Sequence, residues 1–289
     1  MGLIQDAWLR QFARVTHAFT TRALGNMNYS VSKSPADVAR NRRKLLRALG
    51  GRWQLITLKQ RHTDIVRALD RASLQKTAAV QRERDGALKF YGDALITNRP
   101  GLLLAVQVAD CLPILLADPT RLAVAAVHAG WRGTAKRIAE KTVGVTRLRF
   151  GCRPRDLRAI LGPGIHVCCY EVGREVIEVF ESQFPYWEKL VRRVKVSVPD
   201  VLWQQRLISR EPRPPGARRP RPALTAPAEE KVYLDLVEAN RRQLVAAGLR
   251  NKNIVVSPLC TACRTDLLFS HRAERGSTGR TMGLIGIRK

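Results

Sequence analysis

A chain of 289 residues with 45% apolar side chains can bury a substantial core, as one large domain or two small ones. Its 51 Lys and Arg against 24 Asp and Glu leave a formal charge of +27, which makes polyanions and phosphorylated ligands candidate partners. The excess is spread along the chain and aromatics are only 6%, which argues against a dedicated nucleic-acid reader.

The N-terminal "MGLIQDAWLRQF" lacks the basic region, apolar stretch and cleavage site of a signal peptide, and Asp6 stands where a myristoylation site needs Ser or Thr. The longest apolar run, "GLLLAVQVADCLPILLAD", is broken by Asp110 and Pro113 and cannot span a bilayer as one helix. The expectation is a cytoplasmic protein with no membrane partner. In that compartment the six cysteines read as reduced thiols or ligands rather than as a disulfide framework.

In chain order, "VTHAFTTR" (15–22) has the content of a short strand. "SPADVARNRRKLLRALGG" (34–51) reads as a helix capped by Ser34 or Asp37 and ended by Gly50 and Gly51, with Val38, Leu45, Leu46 and Leu49 near one face. Residues 53–69 hold two β-rich runs around a polar interruption, placing His62 at a strand end or bulge. The polar segment 70–92 predicts loop. "DALITN" and "GLLLAVQVAD" predict strands, and "PILLAD" with "RLAVAAVHA" predicts a hairpin turned by Asp118-Pro119-Thr120. After "GWRG" the spacing becomes helical, with Ala135, Ile138, Ala139, Thr142 and Val143 as one stripe.

A further strand, loop and helix follow in "LRAILGPGIHVCCYEVGREVIEVFESQF", with Val172, Val176, Val179 and Phe180 as the helical face. "VYLDLVEANRRQLVAAGL" predicts an amphipathic helix, "NIVVSP" a strand, and the rest a loop-rich tail. The stretch 209–228, with six prolines, predicts an exposed insertion grown out of one domain spanning 1–289, since apolar elements continue on both sides of it. Hairpin-like pairs mixed with helices argue for an α+β fold.

Two of these runs end on reactive residues. Period-two alternation places His128 on the face shared by Leu122, Val124 and Ala126, and Cys111 directly follows an apolar strand. With only five histidines, His17, His62, His128, His166 and His271, one Cys and two His can form a three-ligand zinc site with an open position. The same residues can instead make a Cys nucleophile with a His base, or be packed core side chains. "CTAC" (260–263) is a CxxC, but a closed zinc site would need two more ligands; Cys168 and Cys169 are adjacent rather than spaced, and His271 is the only nearby histidine. Packed thiols are the favoured reading. Arg132 beside a helix start, and Arg272, Arg275 and Arg280 in a glycine-containing loop, suit phosphate or carboxylate.

Taken together, "DALITNRPGLLLAVQVADCLPILLADP", "AAVHAGWRGT", "LGPGIHVCCYEVGREV" and "CTACRTDLLFSHRAERGSTGR" resemble the YfiH-type laccase-domain family, variously labelled polyphenol oxidase, peptidoglycan editing factor and purine nucleoside phosphorylase. The resemblance runs from about residue 15 to 287. It implies mixed β-sheets packed together with outer helices, layered α/β/β/α, and a zinc ion held by His62, Cys111 and His128, which would also be the catalytic residues. It implies phosphorolysis of adenosine, inosine or methylthioadenosine, with adenosine deamination as a second reaction. Asn28, Arg132, Tyr170 and Arg280 match polar positions of the family motifs and are the expected substrate-binding residues for nucleoside and phosphate.

The chain departs from the family at three places. "TTRALGNMNYS" lacks the double glycine, Thr63 replaces a glycine after His62, and Ala273-Glu274-Arg275-Gly276 alters the last motif. The competing readings are copper replacing zinc in a polyphenol oxidase, a Cys111-dependent hydrolase of peptidoglycan precursors, and a basic nucleic-acid-binding protein without activity. Multicopper oxidation draws on more imidazoles than five, and a blue-copper site usually wants an axial Met, of which the chain has only Met1, Met27 and Met282.

Overall fold

The computed structural model describes residues 2–70, 81–196 and 229–289. The strands are β1 (Leu3–Ile4), β2 (Val15–Thr20), β3 (Gln54–Lys59), β4 (Val66–Ala68), β5 (Gln81–Arg82), β6 (Leu88–Tyr91), β7 (Ala94–Thr97) and β8 (Leu102–Val108). They continue with β9 (Leu112–Asp118), β10 (Ala123–Ala129), β11 (Arg158–Leu161), β12 (Glu171–Val172), β13 (Val191–Val196), β14 (Glu229–Leu234), β15 (Ile254–Val256) and β16 (Thr281–Ile287). The described helices are α1 (Ala7–Arg10), α2 (Pro35–Leu49), α3 (Trp131–Ala135), α4 (Ile138–Phe150), α5 (Arg174–Gln183) and α6 (Leu236–Ala246).

Two mixed sheets carry the fold. One has the order β1-β2-β16-β8-β3-β6-β5, the other β15-β11-β9-β10-β7-β4; β12-β14-β13 form a small third sheet. Strand alternation sorts the side chains into three apolar layers. Leu104 and Val106 of β8, Leu115 and Ala117 of β9, and Val124 and Ala126 of β10 pack between the two large sheets. The opposite faces of the same strands pack outward: Leu103 and Ala105 against Leu45 and Leu49 of α2, and Ala125 and Val127 against Ile138 and Val143 of α4. The layering is therefore α/β/β/α. Among the described residues no helix is long and apolar enough to cross a membrane.

The β9–β10 hairpin has the register Val127 opposite Ile114 and His128 opposite Pro113, and Ser34 caps α2 by accepting the Asp37 N–H. Elsewhere the structure departs from the expectations above. The polar segment 81–92 contains β5 and β6; its carboxylates are polar because Glu83 and Asp85 hold the buried Arg42 guanidinium, at 2.7 and 3.1 Å. The stripe from Ala135 to Val143 is broken into α3 and α4 by Arg137, which is left-handed at φ 62°. Val232–Leu234 belong to β14, and Asp235 caps α6 by accepting the Glu238 N–H. On α5 Val176, Ile177 and Phe180 are buried, while Val179 is exposed.

The largest departure is the tail. Residues 281–287 form β16, which lies between β2 and β8 and is buried throughout. Its two glycines lower strand propensity and hide it from a sequence reading. They are required by close packing: a Cβ at Gly286 would lie 2.6 Å from the Leu102 carbonyl oxygen, and one at Gly283 2.8 Å from the Pro113 side chain. The proline-rich stretch 209–228 lies outside the described residues.

His17 sits buried in β2 and accepts the Asp6 N–H at Nε2, 2.9 Å away. Burial, assisted by Arg10 and opposed by Asp6, lowers its pKa from 6.5 to about 4. Between those values the unfolded chain binds the proton and the folded chain refuses it. Stability is therefore full above pH 6.5 and falls on acidification toward pH 4, by about 3 kcal/mol from this group. Urea unfolding across that window is expected to show the slope in the wild type and a flatter profile in His17→Gln.

Candidate metal centre

The site lies at one end of the two-sheet sandwich, where β8, β9 and β10 meet the loop after β3. His128 occupies the penultimate position of β10, on the face of Val124 and Ala126 that packs between the sheets. Cys111 lies in the tight connection between β8 and β9. The preceding Asp110 has φ 90°, a conformation that costs a non-glycine residue about 1–3 kcal/mol and must be held by its surroundings. It is held: the Asp110 carboxylate accepts from Thr261 Oγ1 and Ser270 Oγ, both at 2.7 Å, and from the Arg272 N–H at 2.6 Å.

His62 is three residues beyond β3, in the loop itself rather than at a strand end, and is also left-handed at φ 56°. One carboxylate organises that loop. Asp93, fully buried just before β7, accepts the N–H groups of Arg61 (3.2 Å), His62 (3.1 Å) and Thr63 (2.7 Å), and the Thr63 hydroxyl at 2.6 Å. The departure of Thr63 from glycine is thereby explained, since its hydroxyl is a ligand of Asp93. Gln60 reinforces the loop by exchanging side-chain amide bonds with the Gln107 backbone, both at 2.8 Å.

The three predicted ligands come together. Cys111 Sγ is 3.7 Å from His62 Nε2, the two imidazole centroids are 5.0 Å apart, and one donor atom from each residue lies within 4.8 Å of the others. Asp93 also accepts from His128 Nδ1 at 2.8 Å. That bond fixes the ring orientation and leaves Nε2 to face a cation, the usual carboxylate–histidine–metal arrangement. Gly130 keeps the space open, because a Cβ there would lie 2.8 Å from the His62 ring and 2.9 Å from Cys111 Sγ.

Electrostatics favour the ligand form of the sulfur. Burial opposes ionisation of Cys111, but the charge and hydrogen bonds of His128 and then His62 outweigh it and bring the thiol down to about 6. A thiolate with two imidazoles is a borderline-soft donor set that fits zinc, with a fourth position left for water or substrate. Nothing in the set fits Ca²⁺ or Mg²⁺, which want oxygen.

A cavity of about 710 Å³ opens over these residues, within the range of small-molecule sites. Asn28, Arg132, Tyr170 and Arg280, the expected substrate-binding residues, all line it. Their freedom differs. Asn28 is committed to the Ser30 N–H and to Gln107, so it mainly shapes the wall. Arg132 stacks on Trp131, with 4.2 Å from its guanidinium carbon to the ring centroid. Tyr170 keeps its proton, because burial pushes its phenol well above the usual tyrosine range. Arg280 donates to the Thr278 and Gly279 carbonyls through Nη1, which fixes its guanidinium at the cavity wall.

Arg272 and His271 also line the cavity, whereas Arg275 does not. Glu274, in the altered last motif, pairs with Arg22 at 2.8 Å instead. Asp93 and Asp110 were not singled out by the sequence. The available signal was a lone acidic residue at the edge of an apolar run, which has too many structural explanations to identify a site. Four further thiols, Cys168, Cys169, Cys260 and Cys263, gather into one group with sulfurs within 4.8 Å of one another.

Comparison with known proteins matches the sequence and the fold to a family. A family model described as multi-copper polyphenol oxidoreductase laccase covers residues 16–288. The chain is 34% identical to purine nucleoside phosphorylase YlmD of Geobacillus stearothermophilus, over 98% of this chain and 95% of that protein. It is 35% identical to adenosine deaminase RL5 from an unknown prokaryotic organism, over 69% of this chain and 63% of that one. The crystal structure of the Bacillus licheniformis hypothetical protein YfiH superposes with a TM-score of 0.77 at 31% identity, covering 99% of this chain and 97% of that chain.

Proposed function

This chain belongs to the multi-copper polyphenol oxidoreductase laccase family, and from that premise we propose that it is a zinc-dependent purine nucleoside phosphorylase. Its substrates would be adenosine, inosine or methylthioadenosine with phosphate, and adenosine deamination would be a side reaction. The carrying observation is the cavity in which His62, Cys111 and His128 share a wall with Arg132, Arg280 and Tyr170. Relatives named for both purine reactions support the substrate class. The donor set argues against a multicopper centre, since two imidazoles and one thiolate are the whole of the histidine-containing cluster among the described residues.

The residues divide the work. His62, Cys111 and His128 would hold the zinc, which when bound supplies Lewis-acid polarisation and activation of water. Asp93 holds His128 in the tautomer that presents Nε2. Arg132 and Arg280 would bind phosphate and oppose its charge while the glycosidic bond breaks; Arg280 is already fixed, so little side-chain entropy is lost when it does so. Tyr170 acts as a hydrogen-bond donor, being protonated throughout the neutral range. Phosphate adds at ribose C1′ as the bond to the base breaks, giving free base and ribose 1-phosphate; deamination instead adds water at C6 of adenosine and releases ammonia, giving inosine.

The test is adenosine turnover by metal-quantified protein, with and without phosphate, resolved by chromatography. Adenine and ribose 1-phosphate formed only with phosphate is the expected result, and no purine product from metal-loaded protein would overturn the reading. Arg280→Ala is expected to separate the two reactions. Loss of a charge-assisted hydrogen bond is worth about 1.5–3 kcal/mol, so kcat/KM for phosphorolysis should fall by roughly 10- to 100-fold. Deamination, which uses no phosphate, should fall far less; an equal fall in both would remove Arg280 from the phosphate site.

A further inference from the structure

We propose that Cys168, Cys169, Cys260 and Cys263 form a second metal site, a closed tetrathiolate that takes a thiophilic tetrahedral cation, with zinc as its ion. All four sulfurs lie within 4.8 Å of one another; Cys263 Sγ is 3.6 Å from Cys168 Sγ and 3.3 Å from Cys169 Sγ. Zinc–sulfur bonds of about 2.3 Å arranged tetrahedrally place sulfurs about 3.8 Å apart. Both measured spacings lie a little below that value and the others stay within 4.8 Å, so four bonds require only small side-chain movements.

Local backbone makes the cluster. Cys260 and Cys263 are the ends of a CxxC turn, closed by the Arg264 N–H donating to the Cys260 carbonyl at 3.1 Å. The backbone N–H of His166 donates to Cys260 Sγ at 3.4 Å, tying the first segment of the cluster to the second. Cys168 and Cys169 are adjacent, which in an extended chain would send their side chains apart. Here both Cys169 and Tyr170 donate their N–H groups to the His166 carbonyl at 3.0 Å, and this curl turns both sulfurs toward Cys263.

A disulfide explains less. It would use two sulfurs and leave the other two close without purpose, whereas a tetrahedral ion uses all four. Cys152, by contrast, is buried in the core and takes no part in the cluster.

The position gives the ion a task. It would join the loop carrying Tyr170 to the loop carrying Arg272, and both residues line the cavity. These loops already touch through the Gly164–Cys260 bridge and through Arg272 Nη1 donating to the Glu171 carbonyl at 2.6 Å. Thr261, inside the CxxC turn, is bonded to Asp110, the residue that positions Cys111. The second ion is therefore a staple for the cavity wall, separate from the three ligands of the first.

Metal counting on the full chain tests it. Protein expressed with zinc and purified under reducing conditions is expected to hold two zinc per chain. Cys111→Ala should retain one, Cys260→Ser/Cys263→Ser should retain one, and the triple variant none. In Cys111→Ala reconstituted with Co²⁺, intense sulfur-to-metal charge-transfer bands should report a tetrathiolate; this holds even if the double variant fails to fold. Cys111→Ala with no bound metal would overturn the proposal, whether its four thiols titrate freely or intact-mass analysis finds a Cys169–Cys263 disulfide. Because the readout is metal content with the catalytic site emptied, its failure is distinct from failure of the nucleoside reading.

Discussion

Cys111→Ala is expected to abolish zinc binding at the histidine-containing site and to reduce purine turnover by about a thousandfold or more. Lewis-acid stabilisation is worth several kcal/mol, and each 1.4 kcal/mol is about tenfold in rate. The fold should survive, because Cys111 is a half-buried residue in a connection whose shape is set by Asp110. Circular dichroism should therefore be unchanged while metal analysis and product chromatography change together. If the variant lost its metal and kept its activity, the three residues would be a structural site and the catalytic role would fall. If it lost activity and kept all its metal, Cys111 would be acting as a nucleophile.

Asp93→Ala is expected to damage both stability and metal affinity. The carboxylate is held well below the usual range: burial opposes its charge, but bonds from His128, Thr63 and the loop amides overcome this. Its removal leaves three backbone N–H groups and the His128 imidazole without their acceptor. Breaking a buried charged pair typically costs about 3–5 kcal/mol, measurable by urea unfolding. Loss of the bond behind a metal-bound imidazole costs about 10- to 100-fold in affinity, measurable by competition with a chelator. Asp93→Asn retains an acceptor for the loop and should recover part of the stability while His128 remains mispositioned. Equal metal affinity in all three proteins would show that Asp93 serves the loop alone.

The legible parts of this molecule are those with a local signal. The β9–β10 hairpin follows from two apolar runs separated by Asp118-Pro119-Thr120, and α2 from its Ser34 cap and the spacing of Val38, Leu45 and Leu49. His62, Cys111 and His128 were readable as ligands only through the resemblance of whole motifs, since 66 residues separate the first from the last. What brings the two histidines together is Asp93, as Asp110 positions Cys111, and nothing local marks an aspartate as an acceptor for a loop 30 residues earlier. The cysteine cluster escaped because adjacency of Cys168 and Cys169 argues against a shared ion until the curl at His166 is known. β16 escaped for the opposite reason: its glycines look like loop, and only the packing of Leu102 and Pro113 against them shows why they belong in a strand.

The position of β16 also sets the order in which the chain can acquire its structure. It is the partner of both β2 and β8, and the Met282 N–H donates to Thr20 Oγ1 across 262 residues of sequence. During synthesis β2 must therefore wait, with one edge unpaired, until residues 281–287 have been translated. Such long-range pairing makes for slow folding and a nascent chain exposed to aggregation. The glycines that let β16 fit the narrow space beside Leu102 and Pro113 make it a closing piece: its arrival joins β2 to β8 and completes the sheet from which the Cys111 connection departs.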